Sequence, residues 1–310
     1  MTHDVRDLAV LARDAAMSTT YKPALLKAIV RLQRDGARNS VSLAEIANQF
    51  VELYWTQTVV FHLRQASTLA KEPEVLRALR TAASKANTRR LADLSDVERD
   101  SLAFSISKTL RINVLRLFHK RFSAGAPPLF SWDEGEAIVF TPEASAFVHR
   151  NAMTLETIAN HWWARKLEKL NLLAPAIIEK IEGDGVQRKS LRWFYERVAA
   201  TDNDVCFYCR RDLSDDAQPR DVDHVIPWSF LLANPTWDLV MACRRCNIAK
   251  SDRLPNRRFV LALDDLNAHR LTIAPNVMRG VEPMPTGGLL QLYEAARGVE
   301  WPNAWEPTPP

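Results

Sequence analysis

The sequence predicts a mainly α-helical protein with a small α+β part in its last third. Three observations carry that prediction. Glycine is scarce, at 9 in 310 residues, while long stretches are rich in Ala, Leu, Arg and Glu, a mix that favours helix over sheet. Helix start signals recur through the first 200 residues. All four cysteines fall between positions 206 and 246, beside two short apolar runs rich in valine.

The elements follow in order. Pro23 opens a helix that continues through LLKAIVRLQ to Gly36. Ser42 and Glu45 form a capping box, Ser-x-x-Glu, ahead of the apolar-periodic IANQFVELYW. Ser95 and Glu98 repeat that signal before LAFSISKTLRINVLRLF. There Leu110, Val114, Leu117 and Phe118 share one face, with Lys108, Arg111 and His119 away from it. Gly125-Ala126-Pro127-Pro128 breaks the helical pattern. LFSWDEGEAIVF reads as a short hairpin turning at Glu134-Gly135. Thr141-Pro142 starts another helix, and Leu155, Ile158, Trp162, Leu167 and Leu170 mark a core face in the long stretch after it. Trp162, Trp163 and Trp193 could stack on bases, but helical spacing favours core. SLRWFYERVAA is the last helix before the composition changes. After Pro255 the elements shorten and prolines gather, with an irregular tail pinned by Trp301 and Trp305. This divides the chain into a helical region (1–125), a hairpin-and-helix connection (126–200), the cysteine-containing domain (201–260) and a C-terminal wrap (261–310).

No run of 18 apolar residues exists, so no membrane span is expected. The N-terminus lacks a secretory apolar stretch, which points to a cytoplasmic protein. The net charge of +4 is unevenly placed. From Arg64 to Arg121 there are 13 Lys/Arg against 6 Asp/Glu, which is +7; from Thr201 to Val260 there are 9 against 9. Two readings of the basic stretch stand side by side: a polyanion-binding surface, or an Arg-rich solvated helical face.

The cysteines are paired as Cys206-Phe-Tyr-Cys209 and Cys243-Arg-Arg-Cys246, with 33 residues between the pairs. Two Cys-x-x-Cys knuckles in a reducing compartment point to a closed four-thiolate zinc site rather than disulfides. Such a site is structural. The gap is longer than a plain zinc ribbon needs, so it houses something else.

Inside the gap stand Asp221-Val-Asp-His-Val-Ile-Pro-Trp-Ser and Trp237-Asp-Leu-Val-Met-Ala. Across the second knuckle comes Cys246-Asn-Ile-Ala-Lys-Ser-Asp-Arg-Leu-Pro. Val222, Val225 and Ile226, then Leu239, Val240 and Met241, give two short strands, and 244–253 gives a helix ended before Pro255. This strand, loop, strand, helix order resembles the HNH (ββα-metal) endonuclease family, in the subgroup clasped by two Cys-x-x-Cys pairs. DVDHVIPWSF and NIAKSDRLP are also similar to the HNH domain of RNA-guided CRISPR effector nucleases. The resemblance covers about 50 residues, from Cys206 to Pro255.

The resemblance implies that His224 is the general base and that Asp223 and Asn247 hold a divalent metal. The residue types suit that chemistry. Phosphodiester hydrolysis needs a water deprotonated near neutral pH, which histidine can do, and hard oxygen ligands suit Mg²⁺ or Mn²⁺. Neighbouring strand residues point to opposite faces, so a bend or bulge is expected at Asp223-His224. Lys250, on the helix face of Asn247, is expected to hold a substrate phosphate, as is Arg244 or Arg245. In one respect the sequence departs from the family. Asp238 stands where the family has the middle Asn that braces the histidine loop. An ionised aspartate accepts hydrogen bonds but donates none, so Asp238 either braces the loop or adjusts metal binding. Asn234 is a nearby amide at the wrong offset for that position.

The resemblance implies an endonuclease acting on double-stranded DNA, leaving 5′-phosphate and 3′-hydroxyl ends, in a restriction or anti-phage system. The basic stretch, including Arg77, Arg80, Arg89 and Arg90, is expected to supply most of the DNA affinity. Two rivals stay open: a non-catalytic zinc module that binds nucleic acid, and a subunit silent until a protein partner or a second copy triggers it.

Overall fold

Caps and apolar spacing set the order of elements. The structure, a computed structural model, describes residues 3–14, 18–67, 72–119, 127–172, 174–182, 190–202, 204–214, 220–273, 287–298, 301 and 304–308. The chain divides into two units: residues 1–170 with 177–183, and residues 171–176 with 184–310.

The first unit begins with α1 (Val5–Asp14) and α2 (Tyr21–Leu32). Helix α2 is apolar nearly all round, as a core helix must be: Leu25, Leu26, Ile29 and Val30 are fully buried. Lys27 lies inside with them, its Nζ donating to the Ile181 carbonyl at 2.9 Å. Strand β1 (Ser40–Ser42) leads into α3 (Leu43–Trp55) through the Ser42–Glu45 capping box. A π-helical turn, 56–60, then α4 (Glu74–Ala86) and α5 (Asp96–Leu110), follow. Helix α5 is started by the Ser95–Glu98 capping box.

A second π-helical turn, 111–115, precedes α6 (Arg116–Phe118). A π turn adds a residue to the helical repeat and so rotates the face beyond it. Leu115 is therefore buried where Leu117 was expected, and Leu117 is only partly covered. His119 turns inward for the same reason. Its ring lies 4.5 Å from that of Phe130 and its Nε2 accepts from the Leu129 N–H at 3.1 Å. Burial lowers its pKa to about 4. The break at Gly125-Ala126 lies outside the described residues.

Strand β2 (Ala137–Val139) pairs antiparallel with β1, with Ile138 opposite Val41, both fully buried. The expected hairpin survives only as a single bridge, Ser131 to Val139. The longer ladder forms with β1 because that pairing puts Val41 and Ile138 together inside. Helix α7 (Pro142–Arg150) starts where Thr141 accepts the Ala144 N–H at 3.2 Å. In α8 (Ala152–Leu170), Leu155, Trp162 and Leu167 are buried, with Ile158 and Leu170 partly so. Trp163 is fully buried, its Nε1 donating to Gln65 Oε1 at 3.0 Å, and is core rather than a base-stacking platform. The side chain of Trp193 lies outside the described residues. Helix α9 (Ile177–Glu182) completes the unit.

The second unit runs α10 (Arg192–Ala199), β3 (Arg220–His224), α11 (Trp228–Leu231), β4 (Leu239–Cys243), α12 (Arg244–Lys250), α13 (Arg257–Ile273) and α14 (Gly288–Gly298). The expectation that elements shorten after Pro255 is corrected by α13, a 17-residue helix. Asn256 starts it, its Oδ1 accepting the Arg258 N–H at 3.0 Å. Helix α13 clamps the strands: Arg270, fully buried, donates to Asp202 at 2.9 Å and to the Leu239 carbonyl at 2.9 Å. Asn267 donates to the Trp237 carbonyl at 2.7 Å. The tail is pinned as expected, with Trp301 Nε1 on the Asp252 carbonyl and Trp305 pairing with Leu254 and Asn256. Among the described residues no helix is long and apolar enough to cross a membrane.

Candidate active site

The four cysteines come together. Cys206 and Cys209 sit on a tight turn in which Cys206 N–H donates to the Arg211 carbonyl at 2.7 Å and Arg210 adopts a left-handed φ of 61°. Cys243 ends β4, and Cys246 lies in the first turn of α12. The four sulfurs lie within 4.8 Å of one another, Cys209 and Cys243 at 3.8 Å. A tetrahedron with zinc–sulfur bonds of ~2.3 Å has edges of about 3.8 Å, so the donor set fits zinc. Burial pushes the Cys206 thiol up to about 11, and a bound cation would offset the cost of holding the buried sulfurs as thiolates.

The knuckles clasp a strand–loop–strand–helix unit. Strands β3 and β4 pair antiparallel, Asp223 opposite Val240 and His224 opposite Leu239. The ladder runs regularly through His224, and the bend expected at Asp223-His224 is absent. The two side chains consequently meet different groups. Asp223 Oδ2 accepts from the Tyr208 hydroxyl at 2.7 Å and pairs with Lys250 Nζ at 3.1 Å. Burial, then the Asp223 charge, hold the Tyr208 pKa well above its usual value, so it donates as a neutral phenol. His224 Nε2 lies 3.0 Å from Asn234 Oδ1.

Asn247 does not meet Asp223 directly. Its Nδ2 donates to Asp221 Oδ2 at 2.9 Å. Asp221 and Asp223 share a face of β3, opposite Asn247 and Lys250 on α12. Carboxylate and amide oxygens are of the type that suits Mg²⁺ or Mn²⁺, but among the described residues the four cysteines are the group of His, Cys, Asp and Glu side chains placed closely enough to hold an ion. The substrate-phosphate role expected for Lys250 does not fit its surroundings. Lys250 is fully buried, and its Nζ also donates to the His224 carbonyl at 2.5 Å. It lies on the inward face of α12, where it balances Asp223. Arg244 and Arg245 are exposed on the outward face beside Ile248, and Arg245 reaches the Thr308 carbonyl at 3.3 Å.

Asp238 is fully buried at the end of a 3₁₀ turn, 236–238. Its Oδ1 accepts the Ile226 N–H at 2.8 Å, and its carbonyl accepts Val225 N–H at 3.0 Å. It holds the loop that follows His224 by bonds an Asn oxygen could make equally. Burial raises its pKa well above the carboxylate range, against the opposing pull of the Ile226 hydrogen bond. The folded state therefore keeps a proton that the unfolded state releases near pH ~3.9, so this group's contribution to stability falls as pH rises from there to the folded pKa. Asp238→Asn removes that loss. The variant is expected to unfold at higher denaturant than the parent at pH 7, with the gap closing at pH 3, and to leave the dependence of rate on Mg²⁺ unaltered. A raised Mg²⁺ requirement would instead mark Asp238 as a ligand.

Three residues here carry no signal in the sequence spacing. Asp221 and Tyr208 are reached only across the sheet and the knuckle, and Asn234 stands at an offset that differs from the family position. Arg77 pairs with Glu74, Arg80 with Glu72 and Arg90 with Asp93. Arg89 donates to the Val60 carbonyl at 2.9 Å, and burial lowers its pKa to about 10. Arg89 is turned into the fold, while Arg77 and Arg90 stay more than half exposed beside their acids, in pairs worth little at a surface.

Residues 206–256 match the HNH endonuclease family model. No curated protein matches the chain, and no solved structure does. The matched stretch begins at the first of the four clustered cysteines and ends just past the β3–β4–α12 unit, so the similarity to HNH endonucleases covers the four-cysteine clasp and the strand–strand–helix unit inside it.

Proposed function

We propose that this chain is a metal-dependent endonuclease that hydrolyses phosphodiester bonds of double-stranded DNA. The observation that carries the reading is the match of residues 206–256 to the HNH endonuclease family model, with Asp223, His224 and Asn247 all on the β3–β4–α12 unit that the four cysteines clasp. His224 takes the proton from the attacking water, in line with the leaving 3′ oxygen, so the products carry 5′-phosphate and 3′-hydroxyl ends. Asp223 and Asn247 would hold a divalent cation, which would supply positive charge where negative charge develops on the phosphate. Lys250 and Tyr208 keep Asp223 in place, while Asp238 and Lys250 hold the backbone on either side of the His224 ring. Incubation with plasmid, single-stranded DNA and RNA of one sequence tests the substrate class: cleavage of the plasmid first is expected, and preferential RNA cleavage contradicts it.

A second reading has its own observation. His224 is 1% and Asp223 3% exposed. Substrate reaches neither without movement of the chain around them, which favours a nuclease that opens on binding DNA or a protein partner. Activity appearing only with a partner, in cell extract but not in the purified chain, supports this version. A role in restriction or anti-phage defence belongs to the same proposal, on resemblance alone.

DNA contact is expected to come from the outward face of α12. Arg244→Ala and Arg245→Ala should each weaken duplex binding and flatten log Kd against log salt by about 0.9 for each phosphate no longer neutralised. Binding titrations at several salt concentrations check this; unchanged slopes in both variants place the DNA-binding surface elsewhere.

A further inference from the structure

The His224 backbone is fixed on every side, but its ring is not fixed by those bonds. Lys250 donates to its carbonyl, the ladder opposes it with Leu239, and the next two N–H groups go to Asp238. What remains is the rotation of the imidazole and the choice of which nitrogen carries the hydrogen. Asn234 Oδ1, 3.0 Å from Nε2, faces that choice. An amide oxygen only accepts hydrogen bonds, so the nitrogen facing it must be the one that bears hydrogen. The two ring nitrogens are distinct, and the partner of one decides the role of the other.

Asn234 is itself held by its neighbours. Leu232, at φ 53°, turns the chain sharply after α11. Pro235 restricts the residue before it to extended backbone, and the Pro235 carbonyl accepts the Asp238 N–H at 3.0 Å. The amide is therefore presented from a loop anchored to the same 3₁₀ turn that braces the histidine backbone.

We propose that Asn234 is a positioning residue that holds His224 as its Nε2–H tautomer, leaving the lone pair on Nδ1. This rests on the reading of His224 as the base and names the nitrogen that takes the proton. The arrangement has the logic of a carboxylate orienting a catalytic histidine, with a neutral amide in the carboxylate's place.

The test uses the full zinc-loaded chain labelled with ¹⁵N in histidine, with the wild type, Asn234→Ala and Asn234→Asp compared at a pH where the ring is neutral. Imidazole nitrogen shifts report the tautomer directly. The wild type and Asn234→Asp should show hydrogen on Nε2, because a carboxylate oxygen accepts the same bond, and Asn234→Ala should show redistribution towards Nδ1–H. In plasmid cleavage Asn234→Ala should lose about ten- to a hundredfold in kcat with KM little changed, the usual scale for removing a residue that orients a functional group, and Asn234→Asp should restore most of it. Hydrogen on Nδ1 in the wild type overturns the inference whatever the activity. A shifted tautomer in Asn234→Ala with undiminished kcat overturns the positioning role. If His224→Ala also cleaves normally, that failure is traced to the base assignment rather than to the geometry.

Discussion

Stripping zinc from the protein should abolish cleavage and unfold the segment around β3, β4 and α12. The four sulfurs come from a knuckle before β3 and from the β4–α12 corner, so one bound ion would tie the two ends of the β3–β4–α12 unit. Binding free energies of structural zinc are about 10–16 kcal/mol, which exceeds or matches the whole stability of a typical domain at about 5–15 kcal/mol. The damage should also reach the candidate active site, because Tyr208, between Cys206 and Cys209, donates to Asp223. Elemental analysis should find one zinc per chain. Chelation should expose the 206–246 segment to protease, while the first unit, with its own buried helices, keeps its helical signal. Less than half an equivalent of zinc in well-folded protein contradicts the zinc role of the cysteines.

Replacing His224 by alanine should lower cleavage by roughly a hundredfold or more, the scale of a missing general base, and leave duplex affinity nearly unchanged. The ring is buried and bonds to Asn234, whereas the neighbouring backbone bonds to Lys250 and Asp238 do not depend on it. Circular dichroism and zinc content should therefore match the parent. A fall in activity accompanied by loss of zinc would indicate a folding effect. Wild-type cleavage by a folded variant removes His224 from the base role.

Signals confined to a few neighbouring residues are legible in the sequence. The Ser42–Glu45 and Ser95–Glu98 boxes, the Thr141-Pro142 start and the paired cysteines each fix geometry over three or four positions. The strand–strand–helix order follows from apolar runs of the right length, and the pinning by Trp301 and Trp305 from their isolation in a proline-rich tail. Long-range pairing is not legible. Val41 meets Ile138 only after the first unit folds, so local spacing assigns the three residues of β2 to the wrong partner. The π turn at 111–115 carries no sequence mark, yet it moves Leu115 and His119 inward. At the candidate site, spacing puts Lys250 and Asn247 on one helix face correctly, but spacing does not say which way that face looks. It looks inward, and a lysine expected on the substrate is instead the partner of Asp223. Asn234, Tyr208 and Asp221 depend on contacts between elements and cannot be assigned from sequence offsets.

Whether the chain is a metal-dependent nuclease with His224 as its base is decided by supercoiled plasmid incubated with the purified chain in Mg²⁺, in Mn²⁺ and in EDTA, beside His224→Ala. Nicked and linear DNA are expected with either cation, none in EDTA, and none above background with the variant. Cleavage by His224→Ala equal to that of the parent, or cleavage in EDTA as fast as in Mg²⁺, contradicts that assignment.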